Sequence, residues 1–203
     1  MAGRSSLRTI HCDKTKGWRR VQAPILEGPN IRLRPPCEAD IEARFLLGSD
    51  PEIAEMFGVS REDVRPITRE RAAAWVRNLG EHPHAWIIEI QGACAGEIRL
   101  DRVDQHDRRA SMAIGIYNSA LLGRGFGSEA IDLLLKHAFG PMRLHRIGIR
   151  VLSYNERAIR AYEKSGFVVE GREREAAFVN GTWHDDVMMG LLDHDFLQRR
   201  ASG

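Results

Sequence analysis

Apolar and polar positions along the chain switch between a period of two and a helical period, and the switches mark out the elements. Residues 30–34 alternate as a short strand with Ile31 and Leu33 on one face, stopped by Pro35 and Pro36. Residues 38–47 read as a helix. A second helix opens after Thr68 as its N-cap and carries Ala72, Trp75, Val76 and Leu79 at helical spacing. Residues 48–66, between them, show no period. From His84 onward strands dominate: 85–90 and 93–100 around a turn at Gln91-Gly92, then 109–117. In the last of these Met112, Ile114 and Ile116 face one way and Ala113, Gly115 and Tyr117 the other. A glycine cluster leads into a helix through residue 139, with Ile131, Leu134, Leu135 and Ala138 on one stripe. A strand at 145–151 follows, then a helix capped by Asn155 and stopped by Gly166. Two strands, 167–178 and 183–192, turn at Asn180-Gly181. About seven strands and four helices in this order predict one α+β domain on a mixed, mostly antiparallel sheet, not a regular doubly wound alternation. Residues 1–29 read as a polar, basic tail, partly disordered or docked through Trp18, Val21, Ile25 and Leu26, residues 30–197 as the domain, and 198–203 as a frayed end.

Composition narrows the class. With 203 residues, 43% hydrophobic and 29% charged, the chain suits one well-buried domain. A net charge of +2 is too mild to argue for nucleic acid. Cys12, Cys37 and Cys94 are scattered and odd in number, which fits a reducing cytoplasm better than a disulfide framework or a zinc site. No apolar run approaches the ~20 residues of a membrane span. None separates Arg4, Arg8, Lys14 and Lys16 either, so no secretory signal is expected and the expected address is cytoplasmic.

The loop Leu122-Gly123-Arg124-Gly125-Phe126-Gly127-Ser128 lies between a strand and an amphipathic helix. Glycines there let backbone N–H groups converge on an anion, and the helix start adds partial positive charge, so a phosphate or diphosphate fits. A Walker loop would end in Gly-Lys-Ser/Thr, and no lysine is present; a dinucleotide fingerprint would carry an acidic residue downstream, where Arg143 and His145 stand. A tight turn that uses glycine for geometry alone is the bland alternative. The segment from Asn155 to Phe167 is more specific. Asn155 and Tyr162 are seven residues apart, two helical turns, so they share one face about 10 Å apart along the axis. An elongated ligand can meet the amide at one end and the phenol at the other.

The glycine loop together with Asn155 and Tyr162-Glu163-Lys164-Ser165-Gly166-Phe167 resembles the GNAT superfamily of N-acetyltransferases. Arg32-Leu33-Arg34-Pro35 with Asp40, and Gly171 with Asn180-Gly181, point to the branch holding ribosomal-protein N-terminal and spermidine acetyltransferases. The resemblance covers residues 30–192. It implies a GNAT-like domain that takes acetyl-CoA as donor and needs no metal. The loop residues Gly123, Arg124, Gly125, Phe126, Gly127 and Ser128 would hold the CoA diphosphate, Ile116 and Tyr117 and the amide of Asn155 the pantetheine arm, and Tyr162 would face the sulfur. Leu122 departs from the Arg or Gln with which the family's loop opens, and Arg124 can supply that charge. A homodimer is compatible with this branch; nucleic acid and membrane are not expected partners.

The implied reaction is attack of a primary amine on the thioester in a ternary complex. A lysine-like amine has a pKa near 10.4, so a base or a water chain must take a proton. Tyr162 is the expected general acid for the departing thiolate, and Glu97 the expected base, with Asp101 second. A solvated strand position is the duller account of both carboxylates. His184-Asp185-Asp186 contains metal-ligand types but has no matching cluster, and reads as a polar strand end. Glu52, Glu55, Glu62 and Asp63 offer negative charge to a cationic acceptor, though a solvated face is the duller account of them. The acceptor, a small-molecule amine or a protein N-terminus, does not follow from the residues. A non-catalytic acyl-CoA-binding regulatory module is the alternative of another class, and a nucleotide-dependent enzyme the third.

Overall fold

The computed structural model describes residues 23–201. In chain order the elements are β1 (Leu26–Glu27), β2 (Ile31–Arg34), α1 (Ala39–Leu47), α2 (Pro51–Glu55), α3 (Arg69–Glu81), β3 (Ala85–Ile90), β4 (Ala93–Asp104), β5 (Arg109–Ile116), α4 (Phe126–Phe139), β6 (Arg146–Leu152), α5 (Glu156–Ser165), β7 (Val168–Val179), β8 (Thr182–Leu192) and α6 (Asp193–Ala201). The strands form one sheet in the order β1-β2-β3-β4-β5-β6-β8-β7. The expected mixed, mostly antiparallel sheet is present, with eight strands and six α-helices among the described residues rather than seven and four.

The three extra elements lacked a readable period. Strand β1 has only two residues, inside the stretch assigned to the tail, and α2 has five. Helix α6 is polar, with Phe196 its buried residue, and it carries regular structure through 198–201, where a frayed end was expected. Trp18, Val21, Cys12 and the basic residues before them lie outside the described residues. Pro24 is held: its carbonyl accepts from Trp86 Nε1 at 2.7 Å.

Strand β3 is apolar at nearly every position because both its faces are covered. Trp86 and Ile88 join the core under α4, with Ile131, Leu134 and Leu135, while Ala85 and Ile87 pack with Leu79 and the side of α1 and α3. The sequence Arg32-Leu33-Arg34-Pro35 finds its use here. Arg34 holds Asp40 with two nitrogens, at 2.8 and 2.7 Å, and also pairs with Glu89, while Cys37 N–H bonds Asp40 at 2.8 Å. All three charges are largely buried, so removing one partner would cost about 3–5 kcal/mol. The motif anchors the start of α1 to the sheet. Among the described residues no helix is long and apolar enough to cross a membrane.

Candidate active site

Strands β5 and β6 form the one parallel pair among the described strands, and their ladder is short. Arg109, Ala110 and Ser111 pair with Arg146, Ile147 and Gly148. Both strands continue past that point, each still paired on its outer side: β5 with β4 as far as Ile116, and β6 with β8 as far as Leu152. The sheet therefore parts between β5 and β6 alone. Tyr117 N–H donates to the Ala95 carbonyl at 2.9 Å. Backbone groups alternate in direction along a strand, so those of Ile116 and Ile114 face the gap. A ligand lying there meets a strand edge with its hydrogen-bonding groups unused.

A cleft of about 630 Å³ fills this gap, and the glycine loop closes one end of it. Gly123 and Gly125 have φ of +73° and +87°, and a Cβ on either would touch nothing within 4 Å. Backbone conformation, not lack of room, calls for glycine at both. Gly125 is the N-cap of α4 without a side-chain cap, and the first intrahelical bond runs from Glu129 N–H to its carbonyl at 3.0 Å. The N–H groups of Phe126, Gly127 and Ser128 precede that bond and have no helical acceptor, at the positive end of a 14-residue helix. Glu129, the acid of this first turn, is engaged elsewhere, accepting from Asn30 N and Nδ2 at 2.9 and 3.0 Å. Arg157 and Lys164 of α5 bring cationic side chains to the cleft wall.

Helix α5 supplies the other wall. Asn155 caps it, its Oδ1 accepting from Ala158 N–H at 3.2 Å, while Nδ2 donates to the Met56 carbonyl at 3.3 Å. The amide thus ties this helix to the segment after α2. Tyr162 is 7% exposed, lies edge-on to Phe167 and lines the cleft. Its hydroxyl has no hydrogen-bond partner among the described residues. Burial pushes its pKa up to about 12, which keeps the phenol protonated and able to donate.

Asp186 completes the site, and sequence reasoning missed it. It is 3% exposed, lines the cleft, and is the one carboxylate among the residues that do. Burial lifts its pKa above the ordinary aspartate value, opposed by Arg150, whose Nε is 3.3 Å away, and reinforced by Glu173. Two acids side by side in a strand point to opposite faces, and only the parting of the sheet reveals which face is the cleft.

The wall beyond is assembled from distant segments. Asn180, at the β7–β8 turn with φ +49°, donates from N to Ser60 Oγ at 2.9 Å and from Nδ2 to Glu55 Oε1 at 2.8 Å. Its Oδ1 accepts from Arg61 N–H at 2.9 Å. Glu55 also accepts from Arg61 Nε at 2.6 Å, and its carbonyl from Tyr154 at 2.6 Å. Glu55 is therefore an internal latch rather than a free attractor of cations. Glu52 and Glu62 are exposed and do not line the cleft, and Trp183 lies tilted against Phe178, ring centres 5.0 Å apart, at the exposed hairpin.

Of the expected site residues, Ile116, Gly123, Gly125, Gly127, Ser128, Asn155 and Tyr162 come together on one cleft. Arg124 and Phe126 belong to the same loop, with the guanidinium 5.3 Å from the ring centre, but do not line it. Tyr117 already uses its N–H, and its ring turns to the opposite face beside Trp75 and Arg44. Glu97 faces that side too, ion-paired with Arg99, which also holds Asp101 at 3.1 Å. One cluster with metal-ligand chemistry, His145 with Asp193 and His194, lies away from the cleft lining, and Arg108 stands 3.5 Å from Asp193.

The family description "Acetyltransferase (GNAT) domain" matches residues 30–168. Spermidine N(1)-acetyltransferase of Escherichia coli K12 is 30% identical over 112 residues, 55% of this chain and 60% of that protein. The match to that relative thus spans less than two thirds of its length. A Bacillus subtilis protein named "Probable N-acetyltransferase YjcK" is 37% identical over 178 residues, 84% of this chain and 98% of its own. Among solved structures, spermidine N-acetyltransferase from Vibrio cholerae in complex with CoA and spermine superposes with a TM-score of 0.70 at 22% identity, over 84% of this chain and 99% of that one. At that identity the likeness is one of fold.

Proposed function

The chain belongs to the GNAT acetyltransferase family, and we propose that it moves an acetyl group from acetyl-CoA to a primary amine by direct attack in a ternary complex. When bound, acetyl-CoA supplies a thioester that the amine attacks and a thiolate that leaves. The parted strand edge carries this reading: Ile114 and Ile116 present unused backbone groups beside a glycine-opened helix start and an unpartnered phenol. The amides of Phe126, Gly127 and Ser128 hold the diphosphate, with Arg124, Arg157 and Lys164 as nearby charge. Ile116 N–H is the donor for the carbonyl oxygen. Asn155 positions the arm through the end of α5 that it caps. Tyr162 hands its proton to the sulfur.

For the base, Asp186 replaces Glu97. It is the carboxylate that the cleft offers, and its raised pKa makes it a better proton acceptor near neutrality than an ordinary aspartate. Cys94, a buried thiol, suits a reducing compartment, and we place the protein in the cytoplasm.

The test is calorimetry with CoA followed by a thiol-release assay with acetyl-CoA over primary amines and N-terminal peptides. Heat with CoA and amine-dependent release are expected. Heat without release across the whole panel would favour a non-catalytic acyl-CoA-binding module, and no heat would end the reading altogether.

A further inference from the structure

A second cavity, about 300 Å³, adjoins the cleft, and Ile53 and Phe57 line both. Its rim carries Arg44, Arg65 and Arg71. Guanidiniums elsewhere in this protein mostly meet carboxylates: Arg34, Arg61, Arg69, Arg99, Arg146, Arg150 and Arg172 are each ion-paired. None of the three around this cavity is, among the described residues. Arg44 holds its Cζ 4.6 Å from the centre of the Tyr117 ring and donates from Nη1 to the Gly48 carbonyl at 2.8 Å, while its Nε is buried with no hydrogen-bond partner. Arg65 reaches only the Glu62 carbonyl. Two carboxylates, Asp50 and Asp63, share the rim, and Asp50 is occupied, accepting from Glu52 and Ile53 N–H to cap α2. Three guanidiniums thus outnumber two carboxylates, and Arg44 is the one held in place.

Resting on the acetyl-transfer reading, we propose that the acceptor is an amine carrying an oxyanion, which seats among Arg44, Arg65 and Arg71 while its amine passes Phe57 toward Asp186. Guanidiniums bind carboxylate and phosphate oxygens through parallel N–H bonds, and both groups share that chemistry. A polyamine meets the opposite: its distal ammonium would stand against a lining in which three guanidiniums outnumber two carboxylates.

The experiment compares kcat/KM in the thiol-release assay for an α-amino acid, its methyl ester, an aminoalkyl phosphate and spermidine. The acid or the phosphate should exceed both ester and spermidine by about 100-fold, because a site built to bind a polar group rejects the analogue lacking it. Which of the two leads identifies the oxyanion. The double substitution Arg65→Gln with Arg71→Gln, both exposed side chains, should shrink that ratio to below about 10-fold, the loss expected from unpairing charge-assisted bonds. Release from spermidine or the ester as fast as from the anionic amines would overturn the proposal while leaving acetyl transfer intact. No release from any amine, with no heat from CoA, would sink both.

Discussion

The two sides of the cleft recognise their ligands by different means. The donor side is built from main chain: a strand edge left open where β5 leaves β6, and helix N–H groups freed by Gly125. The acceptor side is built from side chains that meet across long sequence separations, such as Asn180 with Glu55 and Ser60. Main-chain recognition tolerates almost any side chain provided that the backbone keeps its course. Side-chain recognition changes with single residues, so the same scaffold can keep one donor and vary its acceptor. If this division is real, substitutions on one side should move one ligand's binding and leave the other's alone.

The largest effect should come from Tyr162, where the two sides meet. Tyr162→Phe removes one buried hydroxyl with no internal partner, so the fold should hold. We expect kcat to fall by about 100- to 1000-fold, the usual range for loss of a general acid. CoA affinity by calorimetry should stay unchanged; a matching loss of CoA binding would make the phenol a binding group instead.

Asp186→Asn sharpens the acceptor side. An asparagine cannot take the amine's proton, so kcat/KM for the acceptor should drop by about 100-fold at neutral pH. The wild-type rate should decline on the acid side as the carboxylate protonates through its raised pKa. The same shift has a sign for stability. A carboxyl whose folded pKa lies above its unfolded value favours folding below the unfolded pKa, and that contribution is lost as pH rises through the folded one. At pH 7 Asp186→Asn should therefore leave thermal stability equal or higher. A variant that melts early would show that Asp186 serves the fold through Arg150 rather than the reaction.

Gly125→Val probes the donor side alone. Valine at φ +87° is strained by about 1–2 kcal/mol, and no protein atom lies within 4 Å of where its Cβ would stand. The loop should shift off its course and raise the CoA dissociation constant by about 10-fold or more, as the helix N–H groups turn away. The acceptor KM should not follow. Asn180→Ala does the reverse. It removes the bonds to Glu55 and Arg61 and puts alanine at φ +49°, costing about 1–3 kcal/mol of local order. The acceptor KM should rise by about 5- to 10-fold, with CoA affinity within about twofold of wild type.

The same division explains what the sequence made legible. The glycine loop and the Asn155 to Tyr162 face are local, so spacing alone places their residues on one helix start and one helix face. Asp186 was invisible for the opposite reason. Its strand is legible, but its role depends on a gap on the far side of the neighbouring strand, where β5 and β6 stop bonding. Arg44, Arg65 and Arg71 come from α1, a connecting loop and α3, two readable helices whose meeting across the aperiodic residues 48–66 no spacing foretells. Helix α2, only five residues long and opened by Pro51 under an Asp50 cap, is too short for a helical repeat to show.

The smallest predicted effect concerns Glu97, and it tests whether a plausible carboxylate needs the right side of the sheet. Glu97 pairs with Gly115 in β5, close in sequence terms to the strand edge, yet its side chain leaves on the face of Trp75 and Tyr117. There it shares Arg99 with Asp101, which His82 Nε2 approaches at 3.1 Å. Glu97→Gln keeps an amide oxygen for Arg99, and Asp101 still neutralises that guanidinium. The cost should be about 1 kcal/mol of stability, the scale of one weakened hydrogen bond. Turnover should change by less than about threefold with an unaltered pH profile, since a base variant would instead lose orders of magnitude near neutrality and recover at high pH. Such a recovery would return the proton to Glu97, and the opposite face of β4 would then have to be part of the reaction.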